Sequence, residues 1–177
     1  HLRPSDAVVL ETTGSVWDLY DIVVPLVGKA VVANAGQVRQ IAEARVKTDK
    51  EDVKRLITLL LADIVPEVWV PPQPVRELRA LISFRWRLTK QITMSKNRLQ
   101  SVVQRFNLQP PQGGLLADKN RGWWEQQEFS ELAAFQIECD REIVVQLEGQ
   151  KAAVDQKLAE LSNREPWASQ MVFLMQM

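Results

Sequence analysis

The sequence predicts an α/β domain followed by an all-α region, and three observations support this prediction. Over residues 1–70, short β-branched runs alternate with helical patterns, which is the arrangement of parallel-sheet proteins. Four prolines between residues 66 and 74 mark a boundary. Beyond it, apolar residues recur at heptad spacing through two long segments, which predicts a helical hairpin or coiled coil.

The composition of the 177 residues is that of a globular protein, with 46% hydrophobic and 25% charged residues. No apolar run approaches about 18 residues, so no membrane span is predicted. Cys139 is the only cysteine and His1 the only histidine. This excludes an internal disulfide and a cysteine-based zinc site, and it argues against a histidine-activated nucleophile. We expect a cytoplasmic protein whose chemistry, if any, depends mainly on carboxylates.

The first element is a buried parallel strand over residues 7–10, which delivers Glu11 into a turn. Ser15 is placed to cap a helix that runs to about residue 27, interrupted only by Pro25, and Gly28 closes it. A second buried strand over residues 29–35 is followed by a short helix to about residue 46. Strand, helix, strand and helix form a βαβ unit. Two strands are too few for independent stability, so we expect an upstream strand.

The next helix begins within residues 47–56 and runs to about residue 65. Residues 68–70 are predicted to form a short edge strand between the prolines. A helix of about 34 residues follows, with a heptad seam at Leu78, Leu81, Arg85, Leu88, Ile92, Ser95, Leu99, Val102 and Phe106.

Residues 108–122 are predicted to be a loop, and a second long helix is predicted from about residue 130 to 161. Its expected seam is Leu132, Cys139, Ile143, Leu147, Val154, Leu158 and Leu161. We interpret Cys139 as a core residue of this seam, and Trp17, Trp69 and Trp86 as packing residues. Arg85 interrupts the first seam and can fix register or partner choice. The pair Trp123–Trp124 either packs beneath the loop or stacks on bases.

The charge is uneven, although 22 basic residues balance 22 acidic ones overall. Residues 73–107 carry eight Lys or Arg against one acid, whereas residues 123–165 carry four against ten acids. Two interpretations are open. The basic and the acidic helix can pair antiparallel or across a dimer, or the basic helix can present a stripe to nucleic acid.

The acids of residues 47–56 are the first candidate site. Asp49 and Asp52 are three residues apart at a helix start, so both project from the same face. They either cap the helix and suit its dipole, with Thr48 or Asp49 as the cap, or they hold a divalent metal beside a phosphate. Glu11, at the end of a strand, lies where ligands gather in parallel sheets.

Three segments resemble a known family: residues 9–14 (VLETTG), 32–35 (VANA) and 47–53 (KTDKEDV). They look like the insertion-sequence transposases with a DEDD acidic tetrad, which include the bridge-RNA-guided recombinases. The resemblance continues through the proline boundary into the coiled-coil region. It implies a RuvC-like fold of the ribonuclease H class for the first domain. Thr12 stands where an alanine is common in the family.

The resemblance further implies that Glu11, Asp49 and Asp52 are the second, third and fourth acids of the tetrad and bind magnesium at the scissile phosphate. The first acid is expected on an upstream strand, and a serine nucleophile is expected in a C-terminal domain. We therefore expect a partial acidic domain at residues 1–70, a coiled coil at 71–165 and a linker at 166–177. On this prediction the fragment alone is inactive.

The implied partners are DNA, a guide (bridge) RNA and further copies of the chain, joined through the coiled coil. We assign the nucleic-acid contacts to eight basic residues: Lys47, Lys50, Lys54, Arg55, Arg79, Arg87, Lys96 and Arg98. Two alternatives remain open at this stage. One is a non-catalytic helical oligomerisation or RNA-binding module, and the other is a metal-dependent nuclease that uses the same acids with water as nucleophile.

Overall fold

A computed structural model of the chain describes residues 1–12, 14–41 and 49–169. The chain divides into two compact units, His1–Pro72 and Gln73–Met177. The first contains β1 (Ala7–Glu11), α1 (Val16–Val23), β2 (Lys29–Ala33), α2 (Ala35–Ile41) and α3 (Asp49–Leu61). The second contains α4 (Gln73–Arg105), α5 (Arg121–Glu125) and α6 (Glu131–Ser162).

The predicted βαβ unit is confirmed. β1 and β2 are parallel and in register, from Ala7 opposite Lys29 to Glu11 opposite Ala33. The last three residues of β2 are buried, but β1 is only half-buried, so the prediction of two buried strands is wrong for β1. Within the described ranges the sheet has two strands, and β1 therefore has a paired neighbour on one side alone.

The predicted first helix ends early. α1 stops at Val23, and a 3-10 turn over Val24–Leu26 carries Pro25, because proline has no N–H to continue the α-helical pattern. Ser15 occupies the N-cap position, but its side chain accepts no hydrogen bond from the helix. Gly28 is not a helix cap. Its N–H donates to Asp6 O at 3.0 Å, and the N-terminal segment passes close beside it.

α3 ends at Leu61, four residues before the predicted end. Asp63 takes a left-handed conformation with φ 54°, and the N–H of Ile64 donates to Leu59 O at 3.1 Å. These are the bonds of a Schellman-type helix end, in which an aspartate replaces the usual glycine. Lys29 Nζ pairs with Asp63 Oδ1 at 2.6 Å, which ties this helix end to the start of β2. The predicted end of the preceding helix, near residue 46, lies outside the described residues.

The predicted edge strand at residues 68–70 is wrong. A single antiparallel bridge joins Ala33 and Glu67, with Asn34 N–H donating to Pro66 O at 2.9 Å and Val68 N–H to Val32 O at 2.8 Å. Prolines on both sides of this short segment cannot donate to a ladder, so the pairing does not extend into a strand.

The predicted helical hairpin is present. α4 and α6 pack together, and the ion pairs Arg98–Asp140 and Arg85–Asp155 show that they run antiparallel. The seam predicted for α4 is confirmed. Its buried residues are Leu88, Ile92, Ser95, Leu99, Val102 and Val103, and all but Val103 belong to the predicted set.

The seam predicted for α6 is wrong in its first half. Leu132 is 81% exposed and Ile143 is 40% exposed, and Cys139 is only half-buried. Buried and half-buried residues instead alternate at spacings of four and three along the helix: Ala133, Ile137, Asp140, Val144, Leu147, Lys151, Val154, Leu158 and Leu161. Because this seam contains a small residue and two charged ones, counting apolar residues alone placed it on a neighbouring face.

The predicted loop at residues 108–122 contains local helical structure, with a 3-10 turn over Asp118–Asn120 and the start of α5. The packing interpretation of Trp124 is confirmed. Its ring is buried with Leu99, Val103 and Ile137, and its Nε1–H donates to Leu115 O at 2.8 Å. By contrast, Trp69 and Trp86 are more than 60% exposed, so packing does not account for them. In the described part of the chain, no helix is long and apolar enough to cross a membrane.

Candidate functional site

The carboxyl ends of the two strands form one edge of the first unit. Glu11, the last residue of β1, lies opposite Ala33, the last residue of β2. Thr12 N–H donates to Ala33 O at 3.2 Å, and Thr12 Oγ1 accepts from Ala35 N–H at 3.2 Å. The hydroxyl of Thr12 therefore links the end of β1 to the first residue of α2, a bond that alanine at this position could not make.

Asn34 caps α2 at the same edge. Its Oδ1 accepts from Gly36 N–H at 3.0 Å and from Gln37 N–H at 3.2 Å, which satisfies two of the free amides at the helix start. The sequence signal was present, because asparagine is a preferred N-cap, but the predicted strand had absorbed Asn34. The two bonds fix how the chain leaves β2, and so they hold the edge in shape.

α3 runs antiparallel to the strands. Ile57, Leu60 and Leu61, near its end, line a shallow pocket with residues at the starts of both strands. Leu56 and Leu59 pack with Val9, Ala33 and Val38 in the core of this unit. The beginning of α3 is therefore directed toward the ends of the strands.

The lengths of the two elements place Asp52 near the level of Glu11. Asp52 precedes Leu60 by eight residues, or about 12 Å of α-helix. Glu11 follows Ala7 by four residues, or about 13 Å of strand. Because Leu60 and Ala7 line the same pocket, Glu11 and the first turn of α3 lie at one end of the unit. Asp49 is the first residue of α3, but its side chain lies outside the described residues.

The acids of α3 are paired with cations on the same helix. Asp52 Oδ1 is 3.3 Å from Arg55 Nη1, and Glu51 Oε1 is 2.9 Å from Lys54 Nζ. The hydrogen bond from Lys54 lowers the pKa of Glu51, so this carboxylate stays charged under mild acid. Lys47 and the side chain of Lys50 lie outside the described residues. The described part of this turn therefore carries two acids and two cations side by side.

The donor chemistry of this edge fits a hard divalent cation. Glu11 and Asp52 supply carboxylate oxygens, which magnesium and calcium prefer, and no histidine or cysteine lies among them. The side chains that the structure describes form no group of three possible metal ligands. Asp49, water or a bound phosphate can supply further ligands.

The basic residues predicted on α4 fall into two sets. Lys96 pairs with Glu148 of α6 at 2.7 Å, and Arg98 Nη2 pairs with the buried Asp140 at 2.7 Å. Arg85, the interruption of the seam, pairs with Asp155. The interpretation of the charge asymmetry as antiparallel pairing is therefore supported for these cations. Arg87 instead lies over the ring of Phe84, with Cζ 5.6 Å from the ring centroid. Arg79 is exposed on α4.

Glu11 lies at the carboxyl edge of a parallel sheet, and Asp52 lies on α3 beside Lys54 and Arg55. Carboxylates and cations in this arrangement define a candidate site for phosphate chemistry. In sequence comparison, residues 4–108 match the model of a transposase family, that of the IS110-type transposases. The chain belongs to this family, which gives it a role in transposition and implies DNA as a partner. No curated protein and no solved structure matches the chain significantly. The RuvC-like fold stays a prediction.

Proposed function

We propose that the first unit carries part of the metal site of a DNA transposase, with Glu11, Asp49 and Asp52 as magnesium ligands at the scissile phosphate. The observation that supports this proposal best is the direction of α3, which brings its first turn to the same end of the unit as Glu11. Sequence spacing alone pairs Asp49 with Asp52. Glu11, at the end of β1, is the carboxylate from a second element that such a metal site would need.

In this arrangement the chain's own groups divide the work. Glu11 is fixed at a strand end by β pairing, while Asp52 is held on a helix by the core contacts of Leu56 and Leu59. When bound, magnesium would neutralise charge on the phosphate and orient it. Lys54 and Arg55 stand next to the acids and would attract the DNA backbone. Arg55, which pairs with Asp52, would be available to contact a phosphate when Asp52 serves as a metal ligand.

The test is metal binding by the full chain without DNA, measured with Mn²⁺ by electron paramagnetic resonance. We expect Glu11→Gln and Asp52→Asn each to weaken Mn²⁺ binding about ten-fold or more, because each removes a charged ligand. Asp63→Asn is the matched control, since it removes the same charge at the opposite end of α3 and asparagine tolerates the left-handed conformation of residue 63.

Equal weakening in the control and in the two site variants would contradict the proposal, because it would point to a general charge effect. An unchanged affinity in both site variants would also contradict it. Circular dichroism of each variant separates loss of a ligand from loss of fold.

Two more specific functions depend on the same proposed metal site. Serine-dependent recombination with a guide RNA and hydrolysis by a metal-activated water would use the same carboxylates. Magnesium-dependent release of DNA ends by this chain would favour the nuclease, whereas a covalent protein–DNA product of a longer protein would favour the recombinase.

The helical second unit, with its ion-paired hairpin, supplies the proposed link between protomers, and analytical ultracentrifugation tests it. A monomer at all concentrations would remove that part of the proposal.

A further inference from the structure

One face of α4 carries exposed aromatic rings and cations that the hairpin does not use. Trp86 is 63% exposed, and Arg87 and Lys90 are exposed beside it. At about 100° per residue, Trp86 and Lys90 point away from the seam position Arg85. We call Trp86, Arg87 and Lys90, with Phe84 at their flank, the outer face of α4.

Each aromatic ring of this face has a cation beside it. Lys90 Nζ lies 5.4 Å from the centroid of the Trp86 ring, and Arg87 Cζ lies 5.6 Å from that of Phe84. Such cation–π contacts hold flexible side chains over flat surfaces. They leave part of each ring and each charge open to solvent. The outer face therefore presents two flat apolar rings, each with a cation beside it.

Acidic residues are missing from this face. Residues 78–107 contain no Asp or Glu, so neither Arg87 nor Lys90 has a carboxylate within one turn on its own helix. Arg85, Lys96 and Arg98 find acids on α6. None of the ion pairs between described residues involves Arg87 or Lys90. The acids of α6 thus neutralise the seam-side cations and leave the charge of the outer face uncompensated.

We propose that the outer face of α4 binds single-stranded DNA, with an unpaired base stacked on Trp86 and neighbouring phosphates on Arg87 and Lys90. Exposed aromatic rings next to cations are the chemistry by which proteins hold single strands, because every base has a flat face and every linkage a negative charge. In a duplex the bases are already stacked and do not reach an indole. The choice of DNA rests on the family membership, and the outer face is independent of the proposed metal site.

A second copy of the chain is a less suitable occupant. Two outer faces that met would place like charges together, which opposes association. Three acids of α6, Asp140, Glu148 and Asp155, already pair within the hairpin and are not available to such a partner. A polyanion satisfies the charge and the rings at once.

The experiment measures binding of the full chain to a fluorescein-labelled oligothymidylate of about 20 nucleotides, which is longer than one binding site. Fluorescence anisotropy is recorded at low salt in EDTA, so that the metal site plays no part. We expect Trp86→Ala to weaken binding about ten-fold and Trp86→Phe to retain most of it. Lys90→Gln should weaken it about five-fold. Quenching of tryptophan fluorescence by the oligonucleotide should be largely lost in Trp86→Ala.

Two variants on α6 are the controls. Phe135→Ala removes another ring that is 71% exposed, and Lys157→Gln removes another exposed lysine. Both should bind the oligonucleotide like the unmodified chain.

The proposal is overturned if the control variants weaken binding as much as the variants of the outer face. It is also overturned if blunt duplex DNA or oligouridylate binds more tightly than oligothymidylate, or if Trp86→Ala changes only self-association in sedimentation. Because metal is absent throughout, a failure here leaves the Mn²⁺ test of Glu11 and Asp52 unaffected.

Discussion

At the scale of single residues, Gly28 is a position where the lack of space for a side chain, and not the backbone conformation, requires glycine. Its φ is not positive, so an L residue could adopt its backbone geometry. A Cβ at this position would lie only 2.5 Å from Pro4 O, however, and the N–H of Gly28 donates to Asp6 O. The residue lets the N-terminal segment cross the entry to β2 at close range.

We expect Gly28→Ala to destabilise the chain by about 1–3 kcal/mol, because the backbone of Pro4 must move to admit the methyl group. Thermal unfolding by circular dichroism measures the change. Gly14→Ala is the matched control, since nothing lies within 4 Å of a Cβ built there. If both alanine variants lose stability equally, the cause is not the close approach of Pro4.

At the scale of elements, the hairpin is held by two polar layers within an apolar seam. In one, Arg98 donates to Asp140 and to Ser95 Oγ, at 2.8 Å each. In the other, Arg85 and Lys151 both bond Asp155. Each layer joins residues of α4 to residues of α6, so a shift of one helix along the other would leave charges unpaired. Polar layers of this kind specify register in paired helices.

The second layer predicts a pH dependence. The side-chain hydrogen bond from Arg85, followed by that from Lys151, lowers the pKa of Asp155 to about 2. Because the pKa of this carboxyl is higher in the unfolded chain, the unfolded state binds more protons, and stability rises with pH across this window. The contribution is complete above about pH 4 and is lost as the pH falls through about 2.

Urea unfolding between pH 2 and 5 tests this dependence. We expect Asp155→Asn to reduce the stability above pH 4 and to flatten the loss of stability on acidification. Glu160→Gln, which removes an acid from the same helix, should keep the slope of the unmodified chain. Parallel curves for Asp155→Asn and the unmodified chain would rule out the pairing as its source.

The elements also show what sequence could and could not predict. The α4 seam was predictable because Leu88, Ile92 and Leu99 are apolar and recur at heptad spacing. The α6 seam was not, because it contains Asp140, which is buried against Arg98 of α4, a partner that no local pattern reveals. At the candidate site, the sequence alone predicted that Glu11 ends a strand and that Asp49 and Asp52 share a helix face. Their placement at one end of the unit depends on the antiparallel course of α3, which tertiary packing decides.

At the scale of the whole molecule, the balance of 22 basic and 22 acidic residues hides a division of charge. A neutral chain has no overall field to attract a polyanion. Acids of α6 pair with Arg85, Lys96 and Arg98 of α4, so the charges of these three cations are neutralised within the hairpin. What remains for nucleic acid in the second unit is local, and the outer face of α4 is one part of it.

The salt dependence of single-strand binding therefore measures how many basic side chains contact phosphates. Each phosphate contact on a single strand changes the slope of log K against log salt by about −0.7. Contacts from Arg87 and Lys90 alone give a slope of about −1.4, whereas all eight basic residues between 73 and 107 would give about −5.6. We expect a value near the first figure, and Lys90→Gln should halve it. A slope near the second figure would mean that the hairpin's ion pairs open on binding, and that the charge of α6 regulates access to α4 instead of fixing its fold.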